Sequence, residues 1–150
     1  PCAAAVFAGP APLFALADGT IHRWDTGQRL RAHPALLAVE RDGDALLTAG
    51  EDGRVCRTHG ADGPVELAAL PRKWIDCVAA GPGGALAFAA GRAAWLVDAG
   101  GSRRELRQAR SISGLRYLPD GSRLALARYE GVQLHAVAGD AAPQELDWKG

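Results

Sequence analysis

The stretch of sequence that decides the fold is VFAGPAPLFALADGTIHRWD, which runs from Val6 to Asp25. It holds an apolar run, a turn with glycine and proline, a second apolar run, a turn that contains Gly19, and a third short run. Brief apolar runs separated by glycine and proline are typical of short β-strands joined by tight turns. The stretch therefore predicts three consecutive strands.

The same pattern recurs along the chain. Three further copies can be written down, at Leu36 to His59, Trp74 to Asp98 and Ile112 to Val137. The glycines of the second turns are Gly19, Gly53, Gly91 and Gly131, so the copies are 34, 38 and 40 residues apart. These spacings lie at or just below the ~40 to 45 residues of a propeller blade.

Each copy is followed by a segment with the length of one more strand. These segments are Gly27 to His33, Val65 to Leu70, Arg104 to Ala109 and Gln144 to Trp148. Four strands per repeat predict an all-β fold, a β-propeller of four-stranded antiparallel blades, either as four blades or as half of a larger ring. We expect a single propeller segment over residues 1–150, with blades at roughly 1–33, 34–70, 71–109 and 110–150.

The composition excludes several classes of protein. Seventeen basic and seventeen acidic residues cancel in a chain that is 48% hydrophobic, which predicts no binding to nucleic acid or to membranes. Cys2, Cys56 and Cys77 include no C-x-x-C pair, so neither a disulfide framework nor a thiolate metal site is expected. No export signal is visible, and we expect a cytoplasmic protein without a cofactor.

The segment Asp18 to Asp25, DGTIHRWD, resembles the turn, third strand and terminal Trp-Asp dipeptide of the WD-repeat family. Ala32-His33, Glu51-Asp52-Gly53 and Leu118-Pro119-Asp120-Gly121 are similar to other motifs of that family, and the resemblance spans essentially the whole chain. The resemblance implies a ring of blades, usually about seven. We therefore expect this chain to be the N-terminal half of a longer propeller, with the pairing of two chains into one ring as the alternative.

The resemblance also implies a structural role for six residues. In the family a His, a Ser or Thr, an Asp and a Trp share a hydrogen-bond network that fixes the turn between the second and third strands. The corresponding residues here are Asp18, Trp24, Asp25, His33, Thr48 and Asp52. Thr58-His59 replaces Trp-Asp in the second copy, so the network there is expected to be incomplete.

Candidate partner-binding residues come from local charge and aromatic content. Arg103, Arg104, Arg107, Arg110 and Arg116 form a basic cluster that could bind an acidic peptide or a phosphate, although such clusters more often cover a solvated sheet edge. The first four of these are the candidate partner-binding residues. Arg72, Lys73 and Trp74 form a second candidate for a contact at the propeller rim. For Trp74 and Trp95, packing in the core of a strand is the expected role.

The predicted function is that of a non-enzymatic WD-repeat scaffold that binds a protein or peptide partner. This is what the family resemblance implies. One alternative is a propeller enzyme with histidines at an axial metal site, since His22, His59 and His135 occupy near-equivalent positions in three copies. Another is a structural fragment without a function of its own. Exposed blade faces could also cause self-association.

Overall fold

The computed structural model describes residues 1–148, in which sixteen β-strands and one short 3-10 turn at Pro82–Gly84 are formed. The strands make four four-stranded sheets, and in each sheet they follow one another in chain order. The predicted all-β class with four-stranded antiparallel blades is therefore confirmed. Within the described residues, no helix has the length and apolar character needed to cross a membrane.

The chain divides into two compact units, and the first extends from Pro1 to Val78. Its first sheet consists of β1 (Cys2–Ala8), β2 (Ala11–Leu16), β3 (Thr20–Arg23) and β4 (Arg29–Arg31). Its second sheet consists of β5 (Leu36–Asp42), β6 (Ala45–Gly50), β7 (Arg54–His59) and β8 (Val65–Ala69).

The second unit begins at Ala79, which lies inside strand β9. The third sheet consists of β9 (Cys77–Ala80), β10 (Leu86–Ala90), β11 (Ala93–Val97) and β12 (Arg103–Arg107). The fourth consists of β13 (Ile112–Tyr117), β14 (Arg123–Arg128), β15 (Gly131–Ala136) and β16 (Gln144–Asp147). That all four blades belong to one propeller segment over 1–150 stays a prediction, and its last two residues lie outside the described residues.

The core of the first unit lies between its two sheets. Leu13 and Ile21 of the first sheet pack with Ala32 and with Leu46 of the second sheet, and Val6 and Val39 flank this cluster. Every residue of β6 is buried, as its near-continuous apolar run predicts for a strand covered on both faces. Burial of a leucine side chain contributes about 1.5 to 3 kcal/mol, so this strand is a main source of the unit's stability.

The second unit has a core of the same kind. Ala79, Ala87 and Leu96 of the third sheet pack with Tyr117 and Leu124 of the fourth. In the third sheet Phe88 is fully buried and stacks on Trp95, with ring centroids 5.3 Å apart. The predicted core packing of Trp95 agrees with this contact.

In each blade the backbone that leaves the fourth strand binds the turn between the second and third strands. In the first unit the amide of Ala32 donates to the carbonyl oxygen of Gly19 (2.9 Å), and that of Leu70 to Gly53 (2.7 Å). In the second unit the amide of Gln108 donates to Arg92 (2.8 Å) and that of Trp148 to Glu130 (3.2 Å). We call this end of a blade, with its turn and its outgoing segment, the linker end.

Gly19 and Gly9 provide a test of how tightly the segment that leaves the first blade is held against the turn between β2 and β3. This segment is the linker to the second blade. Both have a positive φ, but a Cβ on Gly19 would lie 1.8 Å from the carbonyl oxygen of His33, whereas a Cβ on Gly9 would meet nothing within 4 Å. We expect Gly9→Ala to cost about 1 kcal/mol through backbone strain alone. Gly19→Ala should cost a further ~1 to 3 kcal/mol, because the linker must shift.

The measurement is the free energy of unfolding of both variants by chemical denaturation. Equal destabilisation of the two variants would show that the contact between the linker and the turn contributes nothing.

Candidate binding surface

His33, Thr48 and Asp52 are brought together at the linker end of the second blade. Nδ1 of the buried His33 ring donates to the Asp52 carboxylate, with distances of 3.0 and 3.3 Å to its two oxygens. Nε2 of the same ring lies 3.0 Å from Oγ1 of Thr48. A neutral imidazole with its proton on Nδ1 accepts at Nε2. The single hydroxyl proton of Thr48 can be donated either to this nitrogen or to the Cys56 carbonyl oxygen, which lies 3.3 Å from Oγ1.

Asp52 connects this network to the linker on the other side. Burial alone would raise the pKa of its carboxyl, but hydrogen bonds from His33 and from the Arg54 amide, with the nearby Arg54 charge, outweigh burial and hold that pKa below its usual value. The Arg54 guanidinium also donates to Asp52 (3.0 Å) and to the Ala32 carbonyl oxygen (2.6 Å). The linker between the first two blades is thus bound by both blades.

The network of the second blade lacks the tryptophan that is usual in the WD-repeat family. Thr58 stands six residues after Asp52, where Trp24 stands six residues after Asp18. The Thr58 side chain is buried, and its Oγ1 has no hydrogen-bond partner among the described residues. The expectation of an incomplete network in this blade agrees with this orphaned hydroxyl.

The first blade has the tryptophan but not the threonine. Phe14 occupies the position that corresponds to Thr48, because each lies four residues before its turn aspartate. The Trp24 ring meets Phe14 edge-on, with centroids 6.2 Å apart, and is 69% exposed. Asp18 accepts from the Thr20 amide (3.0 Å), and Asp25 accepts from the Arg23 guanidinium (2.7 Å). These three residues therefore make local contacts in the first blade.

The predicted arginine cluster is divided by strand geometry. Arg103 and Arg107 project from β12 into solvent, and Arg107 pairs with Glu105 at 3.0 Å. Arg104 faces the other way and donates to the carbonyl oxygens of Ala136 and Gly139 in the fourth blade. It thus joins two blades of the second unit. Its partner-binding role stays a prediction, but its guanidinium is already bound within the chain.

Arg103 and Arg104 line a cavity of about 280 Å³ in the second unit. Tyr117 also lines it, and burial raises the pKa of this tyrosine to about 12 even though the Arg104 charge acts in the opposite direction. The Tyr117 hydroxyl has no hydrogen-bond partner among the described residues. Its oxygen is inaccessible to solvent, so this hydroxyl offers no contact to a ligand without a rearrangement.

Arg110 lies apart from the other predicted arginines, in the segment that leaves the third blade. It is 3.8 Å from Glu130 and lines an open groove together with the exposed rings of Tyr129 and Trp148. The sequence does not predict this groove. The aromatic side chains could not be placed together from sequence, because they come from a turn and from the segment after β16.

Trp74 corrects one expectation. It does not pack in a strand core: its side chain is 68% exposed, and it lies in the segment between β8 and β9. We call residues 70–76 the Trp74 linker. It belongs to the first unit, whereas the arginine cluster belongs to the second.

The backbone of the Trp74 linker is fixed on both sides of the tryptophan. The Lys73 amide donates to the Leu70 carbonyl oxygen (3.1 Å), which closes a β-turn, and the Ile75 amide donates to Gly50 (3.3 Å). The Ile75 side chain is fully buried. The exposed indole is thus held on an ordered backbone rather than on a loose loop.

Three of the four histidines, His33, His59 and His135, make separate contacts. His33 belongs to the network above, Nε2 of His135 donates to Gln133 (2.9 Å), and Nε2 of His59 lies 3.2 Å from the Asp44 carboxylate. Burial, followed by the Arg104 charge, lowers the pKa of His135. In the described part of the chain, no three His, Cys, Asp or Glu side chains are grouped so that they could hold a metal ion.

Thr48 and Thr58 form a matched pair for testing the network. Thr58→Val replaces a buried hydroxyl that has no partner by a methyl group of similar volume, so we expect stabilisation of about 1 kcal/mol. Thr48→Val leaves the buried Nε2 of His33 without its partner and should cost about 1 to 3 kcal/mol. Denaturant unfolding checks both values. The interpretation of the network fails if the two variants change stability in the same direction.

Comparisons with known proteins leave the family open and establish the fold. No family model matches the chain, and no curated protein matches its sequence. Among 495 solved chains that match in structure, one belongs to the crystal structure of the Mitotic Checkpoint Complex. Its TM-score is 0.75 at 14% identity, over 91% of this chain and 48% of that chain. This chain thus spans about half the length of that one, and its fold is that of a β-propeller of four-stranded blades.

Proposed function

We propose that this chain is a non-enzymatic binding module of the WD-repeat type, and that the Trp74 linker takes part in binding a protein or peptide partner. The observation that carries the proposal is the display of Trp74, an indole that is 68% exposed at the linker end of a blade. Large amphipathic aromatic residues dominate the energetics of protein interfaces.

The rigidity of the linker makes this display effective. Binding to a flexible loop costs conformational entropy, whereas an aromatic side chain on a fixed backbone loses little on association. Trp74 stands between Lys73, whose amide is hydrogen-bonded, and Ile75, which is fully buried. Most of the ordering cost is therefore met when the chain folds.

The fold supports the proposal in a general way only. The matched chain comes from a structure of a protein complex, and blades of this kind present their turns and linkers as surface loops. One fold hosts many unrelated functions, so the proposed function depends on the features of the Trp74 linker itself. The cytoplasmic location, the absence of nucleic-acid binding and the roles of Arg103, Arg104, Arg107 and Arg110 stay predictions.

Trp74 and Trp24 permit a controlled test of the proposed function. Both belong to the first unit and are almost equally exposed, at 68% and 69%, but Trp24 lies after β3, at the opposite end of its blade from the β2–β3 turn. Peptides are selected against the wild-type chain from a random library. We expect Trp74→Ala to weaken the selected peptides by at least about tenfold, as for an interface anchor, and Trp24→Ala to leave affinity unchanged.

The assay is fluorescence anisotropy with labelled peptides, and circular dichroism shows that both variants are folded. If no selected peptide depends on Trp74, or if all are weakened equally by both variants, the proposed function is wrong.

Self-association through a blade face is a second candidate function. Ala5 and Phe7 project from one face of β1 and are exposed, while Val6 points to the core on the other side. Phe7 is 60% exposed. Within the first unit, one blade face of this chain already packs on another, so a second copy offers a face of fitting chemistry.

Phe7→Asp tests this candidate against Val65→Asp. Val65 is also 60% exposed, but it lies on β8, the outermost strand of the second blade. We expect the wild-type chain and Val65→Asp to show a solution mass that rises with concentration, and Phe7→Asp to remain monomeric, because a charge on the buried face of an interface is costly. The measurement is light scattering after size exclusion. A wild-type chain that stays monomeric at all concentrations would exclude self-association.

A further inference from the structure

We infer that the segment recognised by the Trp74 linker is an acidic linear peptide, an inference that rests on the function proposed above and names the chemistry of the partner. Three observations carry it. They are the backbone of Arg72, the charges of Arg72 and Lys73, which pair with no carboxylate within residues 1–148, and the position of both cations next to Trp74.

Arg72 occupies a position that favours glycine. Residues Leu70 to Lys73 form a β-turn closed by the Lys73 amide and the Leu70 carbonyl oxygen, with Pro71 in its second position. Arg72, in the third position, has a φ of +64°, and it is the one non-glycine residue with positive φ among those the structure describes. A turn of this kind ordinarily has glycine there, because a side chain is strained in that conformation.

The strain at Arg72 points to a role for its side chain. A non-glycine residue held in a left-handed conformation is strained, and such strain is concentrated at binding sites and other functional sites. The Arg72 side chain is exposed and makes no ion pair within residues 1–148. Folding therefore gains nothing from the guanidinium that would explain why arginine stands here.

Most other arginines of the first unit are bound within the chain. Arg23, Arg54 and Arg57 pair with carboxylates, and Arg31 and Arg41 donate to backbone carbonyl oxygens. Three cationic side chains of this unit have neither a carboxylate nor a carbonyl partner among the described residues: Arg72, Lys73 and Arg29. Two of these three are adjacent, and they directly precede the exposed Trp74.

Arg72 and Lys73 have no carboxylate partner within residues 1–148 and stand beside an exposed indole. This arrangement is complementary to a peptide segment in which carboxylates flank an apolar residue. The guanidinium can bind a carboxylate by two parallel hydrogen bonds, the ammonium adds a second attractive charge, and the indole covers the apolar side chain. A nucleic acid fits less well, because two cations neutralise few phosphates.

The test uses the full chain and a defined set of probes. The Trp74-dependent peptides from the library are resynthesised with each Asp replaced by Asn and each Glu by Gln, which removes charge at almost constant shape. A twelve-nucleotide oligo-thymidine is the nucleic-acid probe. Affinities are measured by anisotropy at low and at high salt.

The variant Arg72→Gly/Lys73→Gln separates charge from folding. Glycine relieves the positive φ, so this variant should be at least as stable as the wild-type chain, and a loss of binding cannot be attributed to unfolding. Arg29→Gln is the matched control, since Arg29 is exposed and unpaired but lies on β4.

We expect acidic peptides to be selected, to lose about tenfold in affinity after amide replacement or in Arg72→Gly/Lys73→Gln, and to be unaffected by Arg29→Gln. The salt dependence should fall in the double variant. Trp74-dependent peptides that keep their affinity after amide replacement would overturn the acidic assignment and leave the proposed function standing. Tighter binding of oligo-thymidine than of the peptides would overturn it in favour of nucleic acid. Selected peptides that never depend on Trp74 would overturn both.

Discussion

The hydrogen bond between each outgoing segment and the turn of its own blade is the constraint on which the rest of the structure depends. It recurs in the four blades, from Ala32 to Gly19, Leu70 to Gly53, Gln108 to Arg92 and Trp148 to Glu130. Buried backbone groups need partners, and a chain that leaves a sheet edge must find them outside the strand ladder. The hydrogen bond to the turn supplies such a partner, and it fixes the direction in which the chain leaves the sheet. The position of Trp74 follows from the second of these bonds.

The side-chain network that the family resemblance implies is divided between two blades. The first blade holds Trp24 but has Phe14 where a threonine would be needed, and the second holds His33, Thr48 and Asp52 but has Thr58 where the tryptophan would be. Neither blade can therefore form the whole set. In the second unit the corresponding turns are two-residue hairpins, which end the strand ladder directly and leave no long turn to be fixed. The backbone bond is retained where the side chains differ, so the backbone bond is the more general device.

The strands and sheets could be predicted because their signals are local. Period-two alternation, apolar runs and turn glycines act over a few residues, and the order of strands in each blade follows from short connections. His33, Thr48 and Asp52 could be grouped because the resemblance to the WD-repeat family implies their network. The exposure of Trp74 could not be predicted, because the Trp74 linker is irregular. The alternation of apolar and polar residues that identifies the faces of a strand does not tell which of Trp74 and Ile75 is buried. The division of the arginines needed the register of β12, which places Leu106 and Arg104 on the inner side.

The same constraint explains why a binding surface would arise at the Trp74 linker. A linker that is bound to a turn at Leu70 and buried at Ile75 has few residues left between these two points, and their side chains must point outward. Nothing in the packing of the unit requires those side chains to be large or charged, and glycine would suit position 72 better than arginine. The scaffold thus determines where side chains are exposed but not which ones they are. The proposed contact with a partner would account for a tryptophan next to two cations that have no carboxylate partner within residues 1–148, whereas the stability of the fold does not account for them.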